Sequence, residues 1–193
     1  MMLAVALVAA LAQGCGKGGS TVELEQMGFS MKLPAGWRQG EPLAGGGYRP
    51  YSEGVFFFES ADKNDPSGDV MEMPLEGASL TEYVEKLIKE AEAMGRLHVG
   101  MLKALDKVSG GAVGEEQMKE IESSAQSRVT SKRQLTVSGL EAVEVATEAP
   151  RSNIQLYVRR GDKLIVVTFG ALREEFPKYE PLFREAIGTI EIR

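Results

Sequence analysis

The residues from Val129 to Gly170 read VTSKRQLTVSGLEAVEVATEAPRSNIQLYVRRGDKLIVVTFG. Four stretches rich in β-branched and aromatic residues, Val129–Val137, Glu141–Glu148, Ile154–Arg159 and Leu164–Gly170, are separated by short breaks. Two of the breaks, Ser138-Gly139 and Arg160-Gly161-Asp162, carry the chemistry of tight hairpin turns. Strands joined by so few residues run antiparallel, so this third of the chain is a meander. Downstream, Phe176, Tyr179, Phe183 and Ile187 fall on one face of a helix, with Pro177 and Pro181 tolerated near its start, and Thr189–Ile192 closes as a short strand. A helix with an aromatic stripe needs a sheet to lie on, which sets the fold class as α+β: an antiparallel sheet with helices packed against it.

Upstream, Val22–Leu33 is strand-like with a turn at Met27-Gly28, and Pro34-Ala35-Gly36-Trp37 is a turn placing the only tryptophan at an edge of the core. Val55–Glu59 reads as a buried strand and Ser60–Gly68 as a polar turn. Ser79-Leu80-Thr81-Glu82 has the spacing of a capping box. The helix it opens carries Leu80, Tyr83, Val84, Leu87, Ile88, Ala91 and Met94 at helical spacing. Leu97–Val108 is expected as a second helix after Gly95, Gly110-Gly111 as its end, and Glu115–Gln126 as a weaker helical stretch. From Thr21 to Arg193 there is no long linker, repeat or low-complexity tract, so residues 21–193 read as a single domain.

Before that domain, Met1–Ala12 is wholly apolar, a length that suits a signal-peptide core and falls short of the ~20 residues of a membrane span. Leu11-Ala12-Gln13-Gly14-Cys15 resembles the lipobox of bacterial lipoprotein precursors, with Gly14 as the small residue before the cysteine. It departs from that pattern in the place of Leu11, in Gln13, and in having no Lys or Arg ahead of the apolar run. The resemblance implies a signal peptide over 1–14, lipidation of Cys15, and a tether over 15–20 whose Gly16-Lys17-Gly18-Gly19-Ser20 is flexible. The protein is then expected in the cell envelope, held on a membrane by its acyl chains; in a host with an outer membrane, Gly16 resembles the signal for that membrane's periplasmic face. The alternatives are an ordinary secretory signal followed by a free thiol, and a buried N-terminal helix.

The order of elements resembles the PsbP family, which includes an extrinsic subunit of photosystem II and many bacterial envelope proteins. Carrying the resemblance are Gly28-Phe29-Ser30-Met31-Lys32-Leu33-Pro34-Ala35-Gly36-Trp37, the helix opened by Ser79-Leu80, Val137-Ser138-Gly139-Leu140-Glu141-Ala142, and Phe176-Pro177-Lys178-Tyr179. It implies a PsbP-like α/β/α sandwich and a role in binding or assembly. The segment Gly95–Arg128 is longer and more helical than the family's usual connection.

A net charge of -6 and a pI near 5.0 argue against a nucleic-acid partner, which requires a basic surface. The clusters Arg128, Lys132, Arg133 and Arg159, Arg160, Lys163 read as solvated faces. One cysteine excludes an intramolecular disulfide and any CxxC site. One histidine, His98, excludes a His-rich metal site, and its neighbours Leu97, Val99 and Met101 give no sign of a catalytic triad. No nucleophile elbow, phosphate loop or dinucleotide fingerprint occurs, Gly45-Gly46-Gly47 reads as a flexible loop, and no cofactor is expected. Asp62, Asn64, Asp65 and Asp69 offer oxygen ligands to a divalent cation, but without EF-hand spacing and with Pro66 following, so a solvated turn is the better reading and no metal is expected. Tyr48-Arg49-Pro50-Tyr51 has the composition of an interface anchor and equally that of a loop covering the core's edge. The expected function is that of a non-catalytic envelope lipoprotein binding or assembling another envelope component; the alternative is a periplasmic module for a small ligand or divalent cation.

Overall fold

The computed structural model describes residues 20–40, 54–58, 66–77, 79–108, 119, 122 and 127–193. In chain order the strands are β1 (Thr21–Leu24), β2 (Phe29–Lys32), β3 (Arg38–Gly40), β4 (Gly54–Phe58) and β5 (Ser67–Pro74), followed by helix α1 (Leu80–Val108). Then come β6 (Arg128–Val137), β7 (Leu140–Glu148), β8 (Arg151–Arg160), β9 (Lys163–Leu172), helix α2 (Phe176–Ile187) and β10 (Glu191–Ile192). Seven strands form one sheet in the order β3-β4-β5-β9-β8-β7-β6, every neighbour antiparallel. The meander from β6 to β9 is present as expected. Val137 pairs with Leu140 around Ser138 and Gly139, both at positive φ (51° and 80°), the backbone that a two-residue hairpin of this hand requires.

The sheet is covered on both faces. Against one face lie Leu80, Tyr83 and Val84 of α1, buried with Val143, Val145, Tyr157 and Leu164. Against the other lie Tyr179, Phe183 and Ile187 of α2, buried with Leu156, Val167 and Phe169. Strand β9 is apolar on both faces, as a central strand covered twice must be. The α/β/α sandwich is therefore as expected, with one addition. A second sheet of order β1-β2-β10 lies in the α2 layer and contributes Val22, Phe29 and Met31 to the same core. The closing strand thus pairs with β2 rather than with the meander.

Three details correct the sequence reading. Ser67 and Gly68, read as part of a polar turn, begin β5 and pair with Gly170 and Phe169. The strand sequence SGDVMEMP is poor in strand formers, and it is held by neighbours on both sides, β4 and β9. Trp37 is in the core, not at its edge: its ring meets Phe183 edge-on at 5.8 Å, and Phe183 stacks on Phe169 at 5.0 Å. Finally, the helix does not break at Gly95. It runs unbroken from Leu80 to Val108, because one interior glycine costs a helix only about 1 kcal/mol relative to alanine. Met94, expected on the buried face, is exposed.

Candidate functional site

The polar groups of the described residues are largely committed to one another. Glu144 of β7, 2% exposed, accepts from Arg133 Nη2 at 2.8 and 2.9 Å and from Arg184 Nη1 at 2.6 Å, while Arg184 also donates to Glu180 at 2.7 Å. Lys132 reaches Glu85 at 2.6 Å, and that hydrogen bond holds the Glu85 carboxyl below its usual range. Arg160 and Lys163 both engage Glu72, and Arg160 donates to the Met27 carbonyl at 2.6 Å. Lys132, Arg133, Arg160 and Lys163 thus pair with acids of the same chain while remaining partly exposed, and the pairs tie α1, α2 and the β1–β2 hairpin to the large sheet.

One concave, weakly charged feature is left between α1 and the sheet. The first turns of α1 press on the sheet through Leu80, Tyr83 and Val84, and Leu87 and Ile88 are only partly buried against it. Under Leu87, Ile88 and Ala91 a half-open cleft of about 370 Å³ remains. Its walls are Met71, Met73, Val129 and Val166, and its floor includes Thr147, Asn153, Gln155, Tyr157 and Thr168. The strand alternation of β8 puts Asn153, Gln155 and Tyr157 on this one face while Ile154, Leu156 and Val158 serve the opposite core. Within the floor, Thr147 donates to Asn153 Oδ1 at 2.8 Å and the Tyr157 hydroxyl donates to Gln155 Oε1 at 3.0 Å. The acceptor ends of both amides are thus engaged internally, and the amide nitrogens are the groups suited to bond an occupant. Burial pushes the Tyr157 phenol up to about 12, so it is a neutral hydrogen-bond donor throughout the physiological range. Glu92 and Ser127 stand at the rim where α1 leaves the sheet. Such a site suits an apolar moiety carrying a hydrogen-bond acceptor, and its floor holds no acid, base and nucleophile placed to act together.

None of these lining residues was read from the sequence as part of a site, although Leu87, Ile88 and Ala91 were placed on the apolar face of the helix. Their signal was the alternation of β8, where Asn153, Gln155 and Tyr157 alternate with the apolar Ile154, Leu156 and Val158; Met71 and Met73 sit in a strand that the residue types concealed. Cys15, Tyr48, Arg49, Tyr51, Asp62 and Asp65 lie outside the described residues. Asp69 is half-buried on β5, opposite Phe56 and Thr168. His98 falls within α1. Among the described residues no three metal-ligating side chains converge, and no described helix is long and apolar enough to cross a membrane.

No protein-family model and no curated protein matches the chain. Solved structures do. The solution structure of cyanobacterial PsbP (CyanoP) from Synechocystis sp. PCC 6803 superposes with a TM-score of 0.55 over 94% of this chain and 99% of that one, at 13% identity. The fold is that of PsbP. A Pseudomonas aeruginosa protein of unknown function has the same likeness, with a TM-score of 0.52, 13% identity, and coverage of 90% and 96% of the two chains. At such identities the PsbP likeness establishes architecture: the sheet between helical layers is shared, and chemistry has to be argued from the residues present here.

Proposed function

We propose that this protein is a non-catalytic cell-envelope lipoprotein that binds or helps assemble another envelope component, and that the cleft between α1 and the large sheet receives an apolar segment of that partner. The observation that carries the reading is the composition of the cleft: methionine and aliphatic walls over a floor of amides and hydroxyls. Methionine walls adapt to irregular apolar surfaces, and the Asn153 and Gln155 amides can bond a backbone or ester carbonyl. The pairing of Glu72 and Glu144 with basic groups also supports a role without catalysis, because a carboxylate held by two cations is poorly placed to move a proton. Membrane attachment is proposed through Cys15, and Tyr48, Arg49 and Tyr51, on the chain linking β3 to β4, are proposed as further partner contacts.

The cleft volume lies within the range of small-molecule sites, which favours a second reading in which the occupant is a free apolar ligand. One experiment separates the two. The protein is purified in mild detergent from its host as wild type, as Cys15→Ala and as Ala91→Trp, which fills the cleft mouth from an exposed helix position. A stoichiometric protein partner, absent from the Ala91→Trp preparation, supports the assembly role, and its absence from Cys15→Ala shows that anchoring is required. A partner-free protein carrying an extractable small molecule, lost on Ala91→Trp, replaces it with the ligand-binding role. A cation instead of either would raise the melting temperature on addition of Ca²⁺ or Mn²⁺.

A further inference from the structure

Past Glu92, α1 leaves the sheet, and the positions from Met94 to Val108 span about 21 Å of helix at 1.5 Å per residue. Met94, Leu97, Met101 and Val108 recur at helical spacing with Ala104 between them, and they are 68%, 70%, 58% and 88% exposed. Four large apolar side chains in one exposed stripe mark a contact surface. Glu122, described on the chain returning to β6, does not cover it. Glu122 meets Lys103 at 2.6 Å, and Lys103 lies roughly 140° around the helix from the stripe's centre.

Two observations say what does. The first is position. The large sheet has one end where β6 and β8 begin and β7 and β9 finish. Ala91 and Glu92 line the cleft together with Ser127, Thr147 and Asn153 of that end, and α1 continues from there to Val108. Ser20, where the folded domain begins, is there too: its hydroxyl bonds the Trp37 carbonyl at 2.9 Å, and the next residue, Arg38, pairs with Phe58 beside Ser67 and Gly170. The second observation is charge. Arg96 and Lys107 are the charges nearest the stripe, on one flank at about 120° and about 100° from its centre, with Arg96 paired to Glu92 at 3.9 Å, whereas Glu92 and Asp106 lie about 160° away on the far side of the helix. Laying the stripe on a bilayer puts cations at the headgroups and turns acids away, the arrangement of an interfacial helix.

The geometry points to the distal half of α1 as a membrane-contacting arm, a second attachment to the same bilayer that holds the lipid anchor. This rests on the anchored reading above, under which the five residues from Gly16 to Ser20 keep this end of the domain within about 18 Å of the lipid. The arm then fixes the domain's orientation, with the opposite end of the sheet facing away from the membrane.

Anchoring and arm contact can be read separately. The full-length lipidated protein is made with a single added thiol, Leu97→Cys or Met101→Cys at the stripe and Glu141→Cys at the opposite end of the sheet, each at an exposed position. Each is labelled with an environment-sensitive fluorophore and reconstituted into phosphatidylethanolamine and phosphatidylglycerol vesicles containing a quenching lipid. Wild-type protein labelled in parallel reports whether Cys15 is blocked by lipid, and flotation reports whether the chain is anchored. The arm predicts blue-shifted emission and loss of most of the fluorescence at 97 and 101, with neither at 141. Protein that floats while the probes at 97 and 101 stay in water overturns the arm and leaves the anchor standing. A reactive Cys15 in protein that does not float removes the anchor, and with it the proposal. Probes that become buried without vesicles, in a species of twice the mass, overturn it in favour of a second copy of the chain.

Discussion

Tyr157 offers a quantitative test of how dry the inner part of the cleft is. Its ring is 5% exposed on the α1 face of the sheet, and burial raises its phenol from 10.0 to about 12. A phenol whose folded-state pKa is raised binds its proton more tightly in the native state, so its contribution is fully present below pH 10 and is lost as pH climbs from about 10 to about 12. At 1.36 kcal/mol per pH unit, the rise from 10.0 to about 12 corresponds to about 3 kcal/mol of stability across that interval. The assay is urea unfolding followed by fluorescence of Trp37, the only tryptophan and a buried one, at a series of pH values from neutral to alkaline. Other groups also titrate in this range, so the quantity to compare is the difference between wild type and Tyr157→Phe. At neutral pH the variant is expected to be about 1 kcal/mol less stable, from loss of the bond to Gln155. Above pH 10 its stability should fall less steeply than that of the wild type, so that the two curves cross. Parallel curves, together with a tyrosine difference titration in which every phenol ionises near 10, would refute the reasoning and mean that water reaches the Tyr157 hydroxyl.

The Glu144 cluster predicts non-additivity. Arg133→Met or Arg184→Met alone is expected to cost about 1–2 kcal/mol, while the double variant strands a buried carboxylate and should cost more than the sum, about 3–5 kcal/mol, in the same urea assay. Phe183→Ala empties the centre of the aromatic group formed with Trp37, Phe169 and Tyr179; a loss of about 3–5 kcal/mol and a changed Trp37 emission are expected. Gly28→Ala places a Cβ 2.6 Å from the Arg193 carbonyl oxygen at a φ of 56°, so the β2–β10 pairing should loosen, seen as faster amide exchange at Arg193, whose N–H bonds the Gly28 carbonyl.

Much of the architecture was legible because it is local. The turns at Ser138-Gly139 and Gly161-Asp162 need backbone that few residues adopt, and the strands they join are long enough to show their alternation. The start of α1 was legible for the same reason: Ser79 accepts from the Glu82 amide at 3.3 Å, as its spacing predicts. Strand β5 was not, because a strand bonded on both sides tolerates glycine, aspartate and proline that an isolated propensity would reject. The continuity of α1 through Gly95 was missed because a small local penalty was weighed as a break.

The candidate site was hidden for a different reason. Asn153, Gln155, Met71 and Ala91 lie on three separate elements and have no shared spacing in the chain. By itself the sequence determined the elements, the hands of the turns and the faces each strand and helix would bury, since these follow from periodicities of two and 3.6 residues. Only the tertiary structure decided where α1 stops touching the sheet. That departure point creates both the cleft beneath Leu87, Ile88 and Ala91 and the exposed stripe beyond Met94, because a helix of 29 residues is longer than the sheet face that can cover it.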